Sequence, residues 1–145
     1  MVKIKNRYYM VQLIGERHQP KVRTHELYGE LVKTVTDMYG DVGNAAIRSS
    51  LSVRVQDEDV QVIRVESSAE NYIASVLPFI QLIAHEKVVI KTLFVGRSMR
   101  ACEKRLIAFR RNELYNTLRH SDNLLEKKKI LKCISQLSGK IKLEQ

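Results

Sequence analysis

Residues 51–65, Leu51-Ser52-Val53-Arg54-Val55-Gln56-Asp57-Glu58-Asp59-Val60-Gln61-Val62-Ile63-Arg64-Val65, read as two strands joined by an acidic turn. The runs 51–55 and 60–65 are rich in β-branched residues, which suit a pleated surface, and the polar Asp57-Glu58-Asp59 between them makes the pair a β-hairpin. What flanks this hairpin decides the fold. Upstream, Leu27, Leu31, Val35 and Met38 recur at helical spacing behind Thr24, a good N-cap, and Gly40 stands where a C-terminal cap needs positive φ. Before that helix lies a polar loop, Glu16 to Arg23, containing Pro20. Further upstream, Arg7 to Glu16 (RYYMVQLIGE) reads as a strand, and its almost unbroken apolar run predicts cover on both faces.

Downstream, Ser67-Ser68-Ala69-Glu70 forms a capping box, and Tyr72, Ile73, Val76, Leu77, Ile80 and Ile83 continue at helical spacing. Pro78 lacks the backbone donor a helix interior needs, so a kink or break is expected near Val76 to Leu77. Val88 to Val95 is a further strand, closed by Gly96, and two helices follow at about 98–118 and 122–137. The order β-α-β-β-α-β followed by two helices predicts an α+β fold. It is the ferredoxin-like arrangement, close to an RNA-recognition motif: a four-stranded antiparallel sheet with two helices on one face and two additional C-terminal helices. We expect residues 1–145 to form a single domain that includes those helices.

Composition permits this. A chain of 145 residues, 44% hydrophobic and 28% charged, buries a continuous core without metal or disulfide staples. No stretch approaches the roughly 20 apolar residues of a membrane span, and the basic start, Met1 to Arg7, lacks the apolar region of a secretory signal. A soluble protein that neither is exported nor engages a membrane is expected. Cys102 and Cys133 have no second cysteine or histidine at metal-ligand spacing, so both read as small buried hydrophobes in a reducing compartment. No cofactor is implied.

Lysine and arginine total 25 against 16 acidic residues, a net charge of +9. Such an excess calls for a polyanionic partner, and its arrangement must say which. Between Arg97 and Arg119 the chain places Arg97, Arg100, Lys104, Arg105, Arg110, Arg111 and Arg119. At about 100° per residue, Arg97, Arg100, Lys104, Arg111 and Arg119 share one helix face, while Met99, Cys102, Leu106 and Phe109 share the opposite one. A charged face is often only a solvated one. Here its sign is too one-sided for that, since solubility is served by mixed charges, and arginine's planar fork suits phosphate. Lys3, Lys5 and Arg7 ahead of the first strand extend the same reading. Lys127-Lys128-Lys129 with Lys132 fit a solvated face equally well, and Gly40 to Ala46 fits either a simple cap or backbone amides that approach a phosphate.

Other chemistries lack their residues. RNA-recognition motifs read bases with aromatic side chains on the central strands, yet the strand 60–65 has none, and the first strand offers only Tyr8 and Tyr9. His18, His25, His85 and His120 are dispersed, no nucleophile elbow or glycine-rich phosphate loop occurs, and Asp57-Glu58-Asp59 lies in a turn. The residues therefore point to a non-catalytic RNA-binding protein. An adaptor between proteins of a ribonucleoprotein, with little direct RNA contact, is the alternative.

Three segments add a resemblance. Met1-Val2-Lys3-Ile4-Lys5-Asn6-Arg7-Tyr8-Tyr9, Leu77-Pro78-Phe79-Ile80 and Thr92-Leu93-Phe94-Val95-Gly96-Arg97-Ser98-Met99-Arg100-Ala101-Cys102 resemble, in order and spacing, the Pop-five family of ribonuclease P and ribonuclease MRP subunits. The resemblance spans about Met1 to Leu118. It implies a nuclear, including nucleolar, accessory subunit in a eukaryotic cell, one that stabilises the catalytic RNA for removal of the 5′ leader of precursor tRNA and for precursor rRNA processing. It also implies as partners the ribonuclease P/MRP RNA, a TIM-barrel subunit of thirty kilodaltons and other holoenzyme proteins. Some relatives end in an acidic tail, which this chain lacks.

Overall fold

A computed structural model describes residues 4–16, 19–55 and 57–142. It separates two compact units between Met99 and Arg100. The first is an α+β unit made of β1 (Asn6–Gly15), α1 (Thr24–Arg48), β2 (Ser52–Val55), β3 (Val60–Glu66), α2 (Glu70–Val76), β4 (Leu82–Ile83) and β5 (Glu86–Gly96). The second holds α3 (Met99–His120), which begins at the boundary, and α4 (Leu124–Lys142). No described helix is long and apolar enough to cross a membrane.

The sheet is antiparallel with strand order β2-β3-β1-β5-β4. Five strands replace the four expected, and Pro78 is the physical reason. Helix α2 stops at Val76, a 3₁₀ turn Leu77–Phe79 takes up the proline, and Ile80 turns extended (φ −79, ψ 110). The chain is then free to form β4, so Ile80 and Ile83, whose spacing reads as helical, are buried from non-helical backbone instead. Ala84 (φ 50) and His85 (φ 68) close the β4–β5 hairpin with two successive positive φ values. That pattern suits the twist of a two-residue hairpin, but neither residue belongs to the asparagine–glycine pairs that announce one.

Helix α1 also departs from expectation. It starts with the Glu26 carboxylate accepting the Arg23 N–H at 2.7 Å, which places Arg23 rather than Thr24 at the cap. Gly40 does take positive φ (63, ψ −156), but the helix resumes beyond it to Arg48 and buries Gly43 and Ile47. The stretch read as a cap or an amide cradle is thus a second helical segment.

Register explains the burial. Tyr9 pairs with Ile63 on one side and Val95 on the other, and Val53 lies across from Ile63. Between Met10↔Phe94 and Val11↔Thr92, Leu93 is left as an extra residue, a bulge in β5. Tyr9, Val11, Leu13, Ile63 and Val65 form one core with Leu27, Leu31, Val35 and Ile47 of α1 and Ile73 and Val76 of α2. Met10, Val60 and Val62 alternate onto the other face and are buried too. Both faces of β1 are covered, as its apolar run requires. Gln61 sits among the core residues with its Nε2 donating to the Val22 carbonyl at 2.8 Å, which ties the segment before α1 to the sheet.

Candidate nucleic-acid interface

Basic side chains gather in each unit. In the first, antiparallel pairing of Tyr8 with Gly96 sets the start of β1 beside the end of β5, so Arg97 emerges next to Lys5 and Arg7. Ile4, Lys5, Asn6, Arg7 and Arg97 line a concavity of about 380 Å³. Gly96 at the end of β5 leaves room for the Phe94 ring, because a Cβ there would lie 2.6 Å from Cε1 of Phe94. Lys5 and Arg97 are exposed; Lys3 lies outside the described residues.

Arg7 differs from its two neighbours. It is half-buried, and its Nε donates to Glu70 Oε2 at 2.9 Å. The Tyr9 hydroxyl donates to the other oxygen of Glu70 at 3.2 Å. One carboxylate in the first turn of α2 thus latches two residues of β1, and it offsets the charge that Arg7 brings to the concavity. The sequence carries no local sign of this latch, since the partners are 61 and 63 residues apart.

Burial, followed by the nearby Glu70 charge and its hydrogen bond, pushes the Tyr9 phenol from 10.0 up to about 12, against the opposing pull of Arg7. A phenol whose folded value is raised contributes stability in full below pH 10 and loses it as pH rises through about 12. The difference corresponds to about 2–3 kcal/mol. Ultraviolet titration of the folded protein should show one of the six tyrosines ionising near pH 12, and Glu70→Gln should lower that value while leaving it above 10. A Tyr9 that titrates with the exposed tyrosines would refute the latch.

In the second unit, Arg100, Lys104, Arg111 and Arg119 fall on one face of α3 by its helical period; Arg111 is half-buried and the other three are exposed. Arg105 flanks them, exposed. Cys102 and Leu106, on the opposite face, are buried. Of the two acids of this helix, Glu113 lies off the basic face by the same period, and Glu103 borders it as the i,i+3 neighbour of Arg100. Arg110 is also off that face. It is half-buried, donates from Nη1 to Glu113 at 2.7 Å, and carries its guanidinium 5.6 Å from the centre of the Phe109 ring. Its position is set by packing on the apolar side.

On α4, Lys128, Lys129 and Lys132 are exposed, as are Leu124, Leu125 and Leu131. Cys133 is exposed, which corrects the reading of both cysteines as buried: the inward position of α4 is taken by the adjacent Ile134, and only Cys102 is enclosed. Burial raises the Cys102 thiol above its usual range, with the Glu103 charge adding to the effect. Among the described residues no group of three or more His, Cys, Asp or Glu side chains is placed to hold a metal ion.

The chain is 28% identical to the ribonuclease P/MRP protein subunit POP5 of Mus musculus over 144 residues, 94% of this chain and 85% of that one. Against its Homo sapiens counterpart the identity is 26%, over 94% and 88% of the two chains. A chain in the cryo-EM structure of yeast ribonuclease MRP has a similar fold, with a TM-score of 0.53 at 11% identity over 99% of this chain and 98% of that one. The Rpp14/Pop5 family pattern matches residues 7–107, more than half of the sequence, and this chain belongs to that family.

Proposed function

We propose that the protein is a non-catalytic, RNA-binding subunit of a ribonuclease P or MRP particle, and that it steadies the RNA which processes precursor tRNA and precursor rRNA. The observation that carries this reading is the basic face of α3, where Arg100, Lys104 and Arg119 are exposed on a helix with six basic residues against two acids. Guanidinium and ammonium groups spaced along a rod neutralise successive phosphates and release condensed counterions, so binding of this kind weakens steeply with salt. Lys5 and Arg97 provide a second contact region. Family membership supports the particle, and a nuclear, including nucleolar, location follows for a eukaryotic source. The order β2-β3-β1-β5, with α1 and α2 as crossovers, supports a ferredoxin-like core to which β4 is an addition.

The adaptor reading also has an observation in its favour. Leu124, Leu125 and Leu131 of α4 are 75%, 70% and 51% exposed, and exposed leucines this close together suit a protein partner. Both roles fit one subunit, with the TIM-barrel protein and other holoenzyme proteins as partners.

Titration of the full chain with transcribed ribonuclease P RNA tests the reading. Alanine at Arg100, Lys104 and Arg119 together should weaken binding and make the slope of log affinity against log salt shallower by about 2–3. An unchanged slope would exclude α3 as the contact.

A further inference from the structure

We propose that the sheet face opposite α1 and α2 holds a separate phosphate site, built from Ser52, Arg54, Arg64 and Tyr8. It rests on the reading that the chain binds RNA, and its ligand is a phosphodiester of that RNA. Arg64 on β3 pairs directly with Tyr8 on β1 and with Ser52 on β2, while Arg54 pairs with Val62. Side chains alternate across a strand, so these residues share the face opposite Tyr9, Ile63 and Val65. Tyr8, Arg54, Val62, Arg64 and Met99 line a groove of about 70 Å³.

Two donors beside this groove are unsatisfied. The Nε of Arg64 is buried and finds no acceptor among the described residues, and neither does the Oγ of Ser52 across the strand pair. A buried donor without an acceptor is held at a cost that a bound acceptor removes. A phosphate in the groove would meet the Arg64 guanidinium that lines it and accept charge-assisted bonds from it, with Ser52 directly across the strand pair from Arg64. Arg54, exposed on the neighbouring strand, adds the second positive charge. Glu66, the next residue of β3 on this face, is not among those lining the groove.

The groove is small and two of its five lining side chains carry guanidinium groups, so it suits a phosphate group. β3 offers no aromatic residue on this face, so Tyr8 is the one ring that lines the groove, beside two guanidinium groups suited to the backbone.

The full chain, titrated with transcribed ribonuclease P RNA between about 50 and 200 mM salt, tests this with two substitutions. Arg54→Gln, at an exposed position, should weaken binding and make the salt slope shallower by about 1, with no change in thermal midpoint. Arg64→Lys keeps the charge but loses the Nε donor and the fork, so affinity should fall several-fold while the salt slope stays near that of the wild type. If both variants bind like the wild type while the α3 alanines weaken binding, the groove is not a phosphate site and the broader reading stands. If the wild type shows no salt-dependent binding, both fall. Should Arg64→Lys fail to fold, Arg54→Gln decides alone.

Discussion

Ile63→Ala is expected to lower the unfolding free energy by about 2–5 kcal/mol, the range for truncating a large aliphatic side chain in a packed core. Ile63 has no solvent exposure. It stands on β3 with Tyr9 of β1 on one side and Val53 of β2 on the other, and it belongs to the core formed with α1 and α2. Strands cannot close over the lost methylene groups without shifting register, and a shift by one residue would turn every side chain of β3 to the wrong face. The cavity therefore persists. Val89→Ala on β5 is the control, because Val89 is 64% exposed, and its cost should stay within about 0.5 kcal/mol. Urea denaturation reads both as shifts in midpoint at constant slope. A cost below about 1 kcal/mol for Ile63→Ala would mean that Ile63 of β3 is not packed at the centre of the core.

The β2–β3 hairpin is legible because its signal is local. β-branched residues on either side of an acidic turn fix a hairpin with little help from the rest of the chain, and both β2 and β3 lie within a residue of their expected limits. The fifth strand was hidden because Ile80 and Ile83, spaced to suit a helix, stand after a proline that ends one. No residue in Ala84-His85 signals the positive φ values that close the hairpin. The charged residues divide in the same way. Arg100, Lys104 and Arg119 follow from helical period alone, which also puts Arg110 on the apolar side once the angle is weighed above the residue type. Arg7 reads as a free cation until Glu70 is placed beside it, and only the folded sheet does that. Ser52, Arg54 and Arg64 are in plain view as polar residues within strands, but their convergence with Tyr8 depends on pairing across three strands, which spacing does not reveal.

The bend in α1 supplies the second large effect, and three glycines of that helix should respond in different ways. Gly40 adopts φ 63 and ψ −156, a region nearly closed to residues that carry a Cβ, so Gly40→Ala should cost about 1–3 kcal/mol through backbone strain even though no atom lies within 4 Å of the added carbon. Gly43 takes an ordinary helical place but has no room. A Cβ there would lie 2.5 Å from Tyr39 Cβ and 3.0 Å from Val35 Cγ1, and neither is the far end of a flexible side chain. Tyr39 is also held from beyond the helix: its hydroxyl donates to Ser75 Oγ at 2.7 Å, and its ring meets Tyr72 edge-on at 4.9 Å. Pushing Tyr39 aside disturbs the seam between α1 and α2, so Gly43→Ala should also cost about 1–3 kcal/mol, here through overpacking. Gly29 has helical backbone and open space around it, so Gly29→Ala should stabilise by about 0.5–1 kcal/mol, since alanine is the better helix former. Circular dichroism during denaturation distinguishes the three. Equal losses at all three positions would indicate a general intolerance of α1 to substitution, whereas a gain at Gly29 beside losses at Gly40 and Gly43 locates the constraint at the bend and its seam with α2.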